Sequence, residues 1–336
     1  MTDDVQSPLR VRVLRALQLG DMLLGVPAFR ALRRAWPSAR IELIGLPWVR
    51  ALIERLPGYV DELVEFPGWP GVPERDLDPA RVARFLAASA ADPPDVAVQL
   101  HGSGVTTNAF VALLGAGHIA GQFAPGAYVP DPATFVLFDE MRNERHAALA
   151  VVEALGVPPA GEDLEVLVLD EDRDEVERGL AGGLAPGAYA IVHPGSSTPS
   201  RRWPAQRFAA VADALADHLP VVITGTDAER DIAARTTTAM RHPAIDLAGE
   251  SSLGGLFALV ERAAIVVSND TGVAHVADAV GTPSVVVFTL SDPRRWGPLD
   301  RRLHRVVRGT PDAWPAANAV AAEALDVLSS GVGARA

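Results

Sequence analysis

Short apolar runs recur along this chain, and each is followed by a stretch whose apolar positions fall three and four residues apart. The first kind predicts buried strands and the second predicts amphipathic helices. The clearest case lies at 263–288. An apolar run, 263–267, enters Ser268-Asn269-Asp270-Thr271-Gly272, a helical run, 273–280, leaves it, and Gly281-Thr282-Pro283 stops that run before a second apolar run, 284–288. Strand, tight turn, helix and strand make a βαβ unit of a parallel sheet. In such sheets ligands bind where strand C-terminal ends meet helix N-termini, because unpaired backbone N–H groups there attract anions. Asp270, Thr271 and Gly272 fall at that junction; Asp270 or Thr271 also reads as a simple helix cap.

The same rhythm runs through the chain. Residues 11–17 predict a first strand, interrupted by Arg12 and Arg15. Gln18 to Asp21 is a turn, and 22–36 carries Leu23, Val26, Phe29, Leu32 and Ala35 at helical spacing, with Pro27 bending or delaying the helix. A strand at 41–45 completes an opening βαβ unit. Further along come a helix at 51–56, a strand at 62–66, a Pro- and Gly-rich loop at 67–79, a helix at 81–90 and a strand at 95–100. That strand ends in His101-Gly102-Ser103-Gly104 before a helix at 107–114. Thr107 stands where a G-x-G-x-x-G fingerprint needs its third glycine, so this loop reads equally as a substrate-facing loop or an ordinary βα turn. Residues 115–133 have loop composition, 144–155 predicts a helix, and 157–163 has linker composition. The boundary placed there divides an N-terminal domain, 1–160, from a C-terminal domain, 161–336. The second half continues as an acidic helix (172–180), strand 189–193, helix 205–219, strand 221–224, helix 228–240, a short strand at 245–247, helix 253–262 and the βαβ unit above. An amphipathic helix at 316–328 ends the pattern, free to pack back on the N-terminal domain. Alternation throughout predicts an α/β chain of doubly wound sheets.

Composition narrows the chemistry. A net charge of -12 argues against general nucleic-acid binding. There is no Lys, so all 30 basic residues are Arg, which removes Schiff-base chemistry and a P-loop lysine. There is no Cys, so thiolate metal sites and thiol nucleophiles are excluded. Residues 1–7 are acidic and polar, unlike a signal peptide, and no apolar stretch is long enough to span a bilayer. A cytoplasmic protein is the expectation. No His cluster with metal spacing and no H-E-x-x-H occurs, so no metal site is expected, and there is no G-x-S-x-G nucleophile elbow.

Three βα junctions of the second half carry small polar residues: His193 to Ser197, Thr224-Gly225-Thr226-Asp227, and Ser268 to Gly272. A rim lined by Ser196, Ser197, backbone N–H groups and Arg201 suits a diphosphate, since Arg donates bidentately to phosphate oxygens. Glu229 suits ribose hydroxyls. The alternatives are a solvated pair for Arg201 and Arg202, a helix N-terminal charge for Glu229, and a core imidazole for His275. In the first half Gly20 gives a close backbone approach and Asp21 is a candidate general base, or an N-cap.

Leu19-Gly20-Asp21-Met22-Leu23 with Pro27 and Leu32, then His193-Pro194-Gly195-Ser196 with Arg202-Trp203-Pro204, then Asp270-Thr271-Gly272 with His275, together resemble glycosyltransferase family 9, the ADP-heptose:lipopolysaccharide heptosyltransferase family. The resemblance runs over roughly residues 10 to 328. It implies the GT-B architecture, two Rossmann-like domains facing across a cleft, with the acceptor on the N-terminal domain and the nucleotide-sugar on the C-terminal one. It implies a metal-independent, inverting transfer of a heptose-like sugar from ADP-heptose or a related donor to a glycolipid or glycan hydroxyl, with no further cofactor. Asp21 takes the place of the catalytic base. Arg201 takes that of a phosphate-binding residue that is Lys in well-known members. Glu229 takes that of the ribose-binding acid, with Asp227 close by, and Asp270, Thr271 and Gly272 meet the donor phosphate. A lipid acceptor would bring peripheral contact at the inner face of the cell membrane, for which Arg30, Arg33 and Arg34 form a basic cluster; a solvated helix face is the other reading. A GT-B nucleotide-sugar epimerase and a non-catalytic nucleotide-sugar-binding protein are the alternatives.

Overall fold

The structure, a computed structural model, describes residues 10–180, 183–310 and 313–330. The N-terminal segment 1–7 lies outside them. The chain divides into two compact units, Met1–Asp163 and Leu164–Ala336.

The first unit runs β1 (Arg10–Leu14), α1 (Leu19–Leu24), α2 (Val26–Ala35), β2 (Arg40–Gly45), α3 (Val49–Ile53), β3 (Glu62–Glu65), α4 (Pro79–Ala91), β4 (Val96–Gln99), α5 (Thr107–Ala112), β5 (His118–Phe123), β6 (Phe135–Leu137) and α6 (Glu144–Ala154). Its strands pair in parallel in the order β3-β2-β1-β4-β5-β6. The second unit runs α7 (Asp170–Glu175), which continues as a π-helical turn (Val176–Leu180), then β7 (Ala190–His193), α8 (Ala205–Ala216), β8 (Val221–Ile223), α9 (Arg230–Ala239), β9 (Ile245–Asp246), α10 (Leu253–Arg262), β10 (Ile265–Asn269), α11 (Gly272–Val280), β11 (Ser284–Phe288), α12 (Pro293–Trp296), β12 (His304–Arg308) and α13 (Ala317–Ser329). Its order is β12-β11-β10-β7-β8-β9, again parallel. Both sheets are therefore doubly wound with the Rossmann order. In each, the strand order reverses beside the first strand, between β1 and β4 and between β7 and β10. That reversal is where ligands bind in such sheets.

Central strands buried on both faces tolerate few polar residues. The Ile-Val-Val of β10 and the Val-Val-Val-Phe of β11 are buried throughout. Arg12 does not break β1, because it stands in register with Glu42 on β2 and its Nε donates to that carboxylate at 2.6 Å. The long helix expected at 22–36 is two helices. The break is at Gly25, where a Cβ would lie 2.9 Å from the Arg15 side chain, so the glycine lets that side chain pass. Pro27 sits in the first turn of α2, where a missing N–H is harmless. Strand β5 runs through a stretch of loop composition. Its Gly121 has a packing reason: a Cβ there would meet the Phe135 ring at 2.8 Å and Gln99 at 2.9 Å.

The final helix contributes to the core of the second unit. Val320, Ala324 and Val327 of α13 join Trp203, Phe208, Val285 and Val287 in the core beneath the second sheet, and α13 packs on α8. The three arginines of α2 do not form the single exposed basic cluster expected from the sequence. Arg30 is buried and donates to the carbonyls of Ala160 and Asp163, both at 2.9 Å, clasping the linker. Arg33 donates to the carbonyls of Gly58, Pro37 and Ala39 and pairs with Asp61. Only Arg34 of the three is exposed. Among the described residues no helix is long and apolar enough to cross a membrane.

Candidate functional site

In the first unit, Gly20 and Asp21 occupy the first turn of α1, immediately beyond the end of β1. The N-cap is Gln18, so Asp21 is not the cap. Beneath it lies Arg15, buried at the end of β1. Its Nε donates to the Asp21 carbonyl at 2.7 Å and its Nη1 to the Leu100 carbonyl at 2.5 Å, while Nη2 is buried without a hydrogen-bond partner. Burial lowers the Arg15 guanidinium from its usual range, opposed by the carboxylates of Glu144 and Asp21. This one side chain thus joins the β1 and β4 ends at the switch point.

His101 sits at the β4 end. Its Nδ1 accepts from the Ala16 N–H at 3.2 Å, and burial, with the nearby Arg15 charge, pushes its pKa down to about 4. The imidazole is therefore neutral at pH 7 with its proton on Nε2, which lies 3.8 Å from Glu74 Oε2. The glycines that follow serve the turn: Gly104 has φ +77°, and a Cβ there would lie 2.1 Å from the Gln122 carbonyl. The half-fingerprint is a tight βα turn packed against β5.

In the second unit, β7 leads into Pro194–Ser197 and then a 3₁₀ turn, Pro199–Arg201. The two adjacent arginines separate sharply. Arg202 Nε donates to the Ser196 carbonyl at 2.8 Å and braces the loop. The Arg201 guanidinium is half-exposed and makes no hydrogen bond or ion pair among the described residues, while its backbone carbonyl accepts from Thr289 Oγ1 at 3.0 Å. Ser196 is buried within the loop and Ser197 is exposed.

At the β10 end, Asp270 accepts from Ser291 Oγ at 2.5 Å. Thr271 is the N-cap residue of α11 and makes no side-chain cap bond, so the leading N–H groups of that helix, beginning at Gly272, have no hydroxyl covering them. The nine-residue α11 thus begins at the sheet switch point without a cap bond from its N-cap side chain, the kind of helix end that favours anions. His275, one turn into α11, is buried.

At the β8 end, Glu229 is buried. Its Oε2 accepts from the Thr226 N–H and hydroxyl, both at 2.8 Å, closing a capping box. The same oxygen lies 3.8 Å from His193 Nε2. Burial lowers the His193 pKa, and Glu229 opposes that shift. Thr224 is sealed below, bonded at 3.0 Å to His193 Nδ1. Gly195 and Gly225 make room for Glu229: a Cβ on Gly195 would lie 2.3 Å from its carboxyl carbon, and one on Gly225 3.3 Å from its Cβ. Asp227 is exposed and paired with Arg230. The structure thus gathers Ser196, Arg201, Gly225, Glu229, Asp270, Thr271 and Gly272 on the neighbouring strand ends of β7, β8 and β10, with Thr224 and His275 packed behind them.

The sequence reading assigned no individual role to three supporting residues, two of which lie within the junctions it named: Ser291, which holds Asp270; Thr226, which holds Glu229; and Asn269, buried at the last position of β10. Asn269 alone carried a signal, a polar residue ending an apolar strand. A 1270 Å³ cavity also opens in the second unit, but at the other end of the sheet, beside Gly187, Ala263 and Pro283. Its arginines are committed, Arg173 to both Glu261 oxygens and Arg262 to Glu177. Among the described residues, no group of three or more His, Cys, Asp or Glu side chains gathers as metal ligands would.

Residues 108–321 match the family profile of glycosyltransferase family 9 (heptosyltransferase). Lipopolysaccharide heptosyltransferase 2 of Escherichia coli is 26% identical over 333 residues, covering 89% of this chain and 88% of that protein. Lipooligosaccharide heptosyltransferase 2 of Haemophilus influenzae is 23% identical over 335 residues, covering 90% of each. Among solved structures, a glycosyl transferase family 9 protein from Veillonella parvula superposes with a TM-score of 0.80 at 22% identity, covering 98% of this chain and 99% of that one. E. coli ADP-heptose lps heptosyltransferase II gives 0.74 at 19% identity (96% and 99%), and E. coli heptosyltransferase WaaC with ADP gives 0.68 at 19% (95% and 99%).

Proposed function

This chain belongs to glycosyltransferase family 9, the heptosyltransferase family, with the GT-B fold of two Rossmann-like sheets, and from that premise we propose that it transfers a heptose-like sugar from ADP-heptose or a related donor to a hydroxyl of a lipopolysaccharide-type acceptor. The first unit takes the acceptor and the second the donor. One observation carries the reading: Arg201, whose guanidinium has no hydrogen-bond or ion-pair partner among the described residues, stands on the β7 loop, and the N-terminus of α11, uncapped by its N-cap side chain, stands on the adjacent β10 loop. Together they offer the charge-assisted and backbone donors that a diphosphate requires.

The reaction is a single displacement. The Asp21 carboxylate accepts the proton of the acceptor hydroxyl, and the oxygen attacks the anomeric carbon. The bond from that carbon to the diphosphate oxygen breaks, and the electron pair leaves with the nucleotide. The anomeric centre inverts. Arg201 and the leading N–H groups of α11 receive the growing negative charge, which is where donors lower the barrier most. Glu229 meets the ribose, and Asp270 and Thr271 line the phosphate seat. In this reading Arg and a helix terminus supply the positive charge that other transferases draw from a metal, and transfer needs none.

The supporting relatives are named as heptosyltransferases, which does not favour the epimerase alternative. The test is ADP release from ADP-heptose. Release that depends on a lipopolysaccharide core acceptor and persists in EDTA supports the proposal. Release independent of acceptor contradicts the transfer, and loss of turnover in EDTA contradicts its metal-free character.

A further inference from the structure

The donor seat has two halves on two different loops, and a single side chain joins them. Asn269 ends β10, one residue before Asp270, and is 0% exposed. Its Nδ2 donates to the carbonyls of Pro194 at 2.8 Å and Gly195 at 3.0 Å. Its Oδ1 accepts from the Trp203 N–H at 2.9 Å. The amide orientation is fixed by chemistry, because carbonyls only accept and a backbone N–H only donates. Pro194 and Gly195 begin the loop that carries Ser196 and Arg201; Trp203 ends it. One buried amide therefore closes that loop at both ends. Trp203 is itself held by packing, buried edge-on against Phe208 at 5.0 Å, with Nε1 donating to the Pro315 carbonyl. Within the loop, Arg202 Nε also donates to the Ser196 carbonyl.

We propose that Asn269 is a positioning residue for donor binding: it sets the loop bearing Arg201 against the N-terminus of α11, so that the guanidinium and the helix N–H groups converge on one diphosphate. The proposal rests on the donor-seat reading above. Three hydrogen bonds from one buried amide to two segments of a loop make the joint stiff, and each bond lost leaves a buried backbone group without a partner. Asn269→Asp keeps the shape and the bond from Trp203, but sets an oxygen against two carbonyls. The start of the loop is then pushed away while the end stays anchored.

The experiment is calorimetric titration of ADP into the full-length protein as wild type, Asn269→Asp, Arg201→Ala and the double variant, with melting temperature recorded for each. Asn269→Asp is expected to weaken ADP about tenfold in the wild-type background and about twofold or less in the Arg201→Ala background, because groups acting through one element are not additive. A residue that only supports the fold would lower the melting temperature and give the same fold-loss in both backgrounds; that result overturns the inference, as does wild-type affinity in Asn269→Asp. Wild-type protein that binds no ADP overturns instead the donor-seat reading on which it rests. If Asn269→Asp does not fold, Asn269→Ser, which keeps a short polar side chain, is read in the same cycle with the same two outcomes.

Discussion

The two switch points use arginine in opposite ways. At β1/β4 the guanidinium of Arg15 is buried, where it donates to the Asp21 and Leu100 carbonyls and attracts the Asp21 carboxylate. At β7/β10 the buried joint is a neutral amide, Asn269, and the guanidinium of Arg201 stands in front, half-exposed and without a partner among the described residues. One strand order therefore supports two electrostatic designs. In the proposed mechanism, a cation held behind a carboxylate fixes the base in place. A cation left in front, backed by a neutral joint and an open helix end, attracts an anion. Which design a Rossmann switch point carries depends on which side of the strand ends the charge is placed, and strand order alone does not decide it.

The largest expected effect breaks the first design. Asp21→Asn removes the proton acceptor without removing shape, and turnover should fall about a thousandfold, within the range for losing a general base. Steady-state ADP release reads it. A loss smaller than about threefold would remove Asp21 from the chemistry.

A pair of glycines compares the two scaffolds. Gly104→Ala in the first unit places a Cβ 2.1 Å from a backbone carbonyl at φ +77°, where neither the clash nor the left-handed strain can relax. Gly195→Ala in the second places a Cβ 2.3 Å from the end of the Glu229 side chain, which can turn aside. Urea unfolding should show Gly104→Ala losing about 3 kcal/mol or more and Gly195→Ala about 1–2 kcal/mol, on the scale of overpacked sites. Equal losses would mean that Glu229 is held as rigidly as backbone.

His101 sharpens the contrast through pH. Its folded pKa, about 4, lies below the ordinary 6.5, so the unfolded chain binds the proton first on acidification. Stability from this group is complete above pH 6.5 and is lost as pH falls to about 4, by up to about 3 kcal/mol. His101→Gln should lose correspondingly less stability over that window, measured by urea unfolding at pH 7, 5.5 and 4. Parallel losses in both proteins would place the acid sensitivity elsewhere.

Much of this was legible in the sequence, and the exceptions have physical reasons. The βαβ unit around Asp270 was readable because β10 and β11 are apolar on both faces and Gly281 stops α11 in a left-handed conformation, φ +71°. Strand β5 was hidden because Gly121 serves packing against Phe135, a contact from another element that local composition cannot show. The break at Gly25 was hidden for the same reason: it exists for the side chain of Arg15. Residue types named the polar strand ends correctly but could not rank them. Thr224 and Ser197 look alike in sequence, yet one is sealed beneath His193 and the other is exposed. Arg30 and Arg33 read as a surface cluster because carbonyl partners contributed by distant loops leave no trace in a helix pattern.

The division of labour between the units is tested most directly by titrating ADP, in one calorimetric series, into wild type, Asp21→Asn and Arg201→Ala. The account predicts wild-type affinity for Asp21→Asn and a loss of about tenfold or more for Arg201→Ala, the scale of a charged hydrogen bond removed. Equal affinities for all three proteins, or a loss confined to Asp21→Asn, would contradict it.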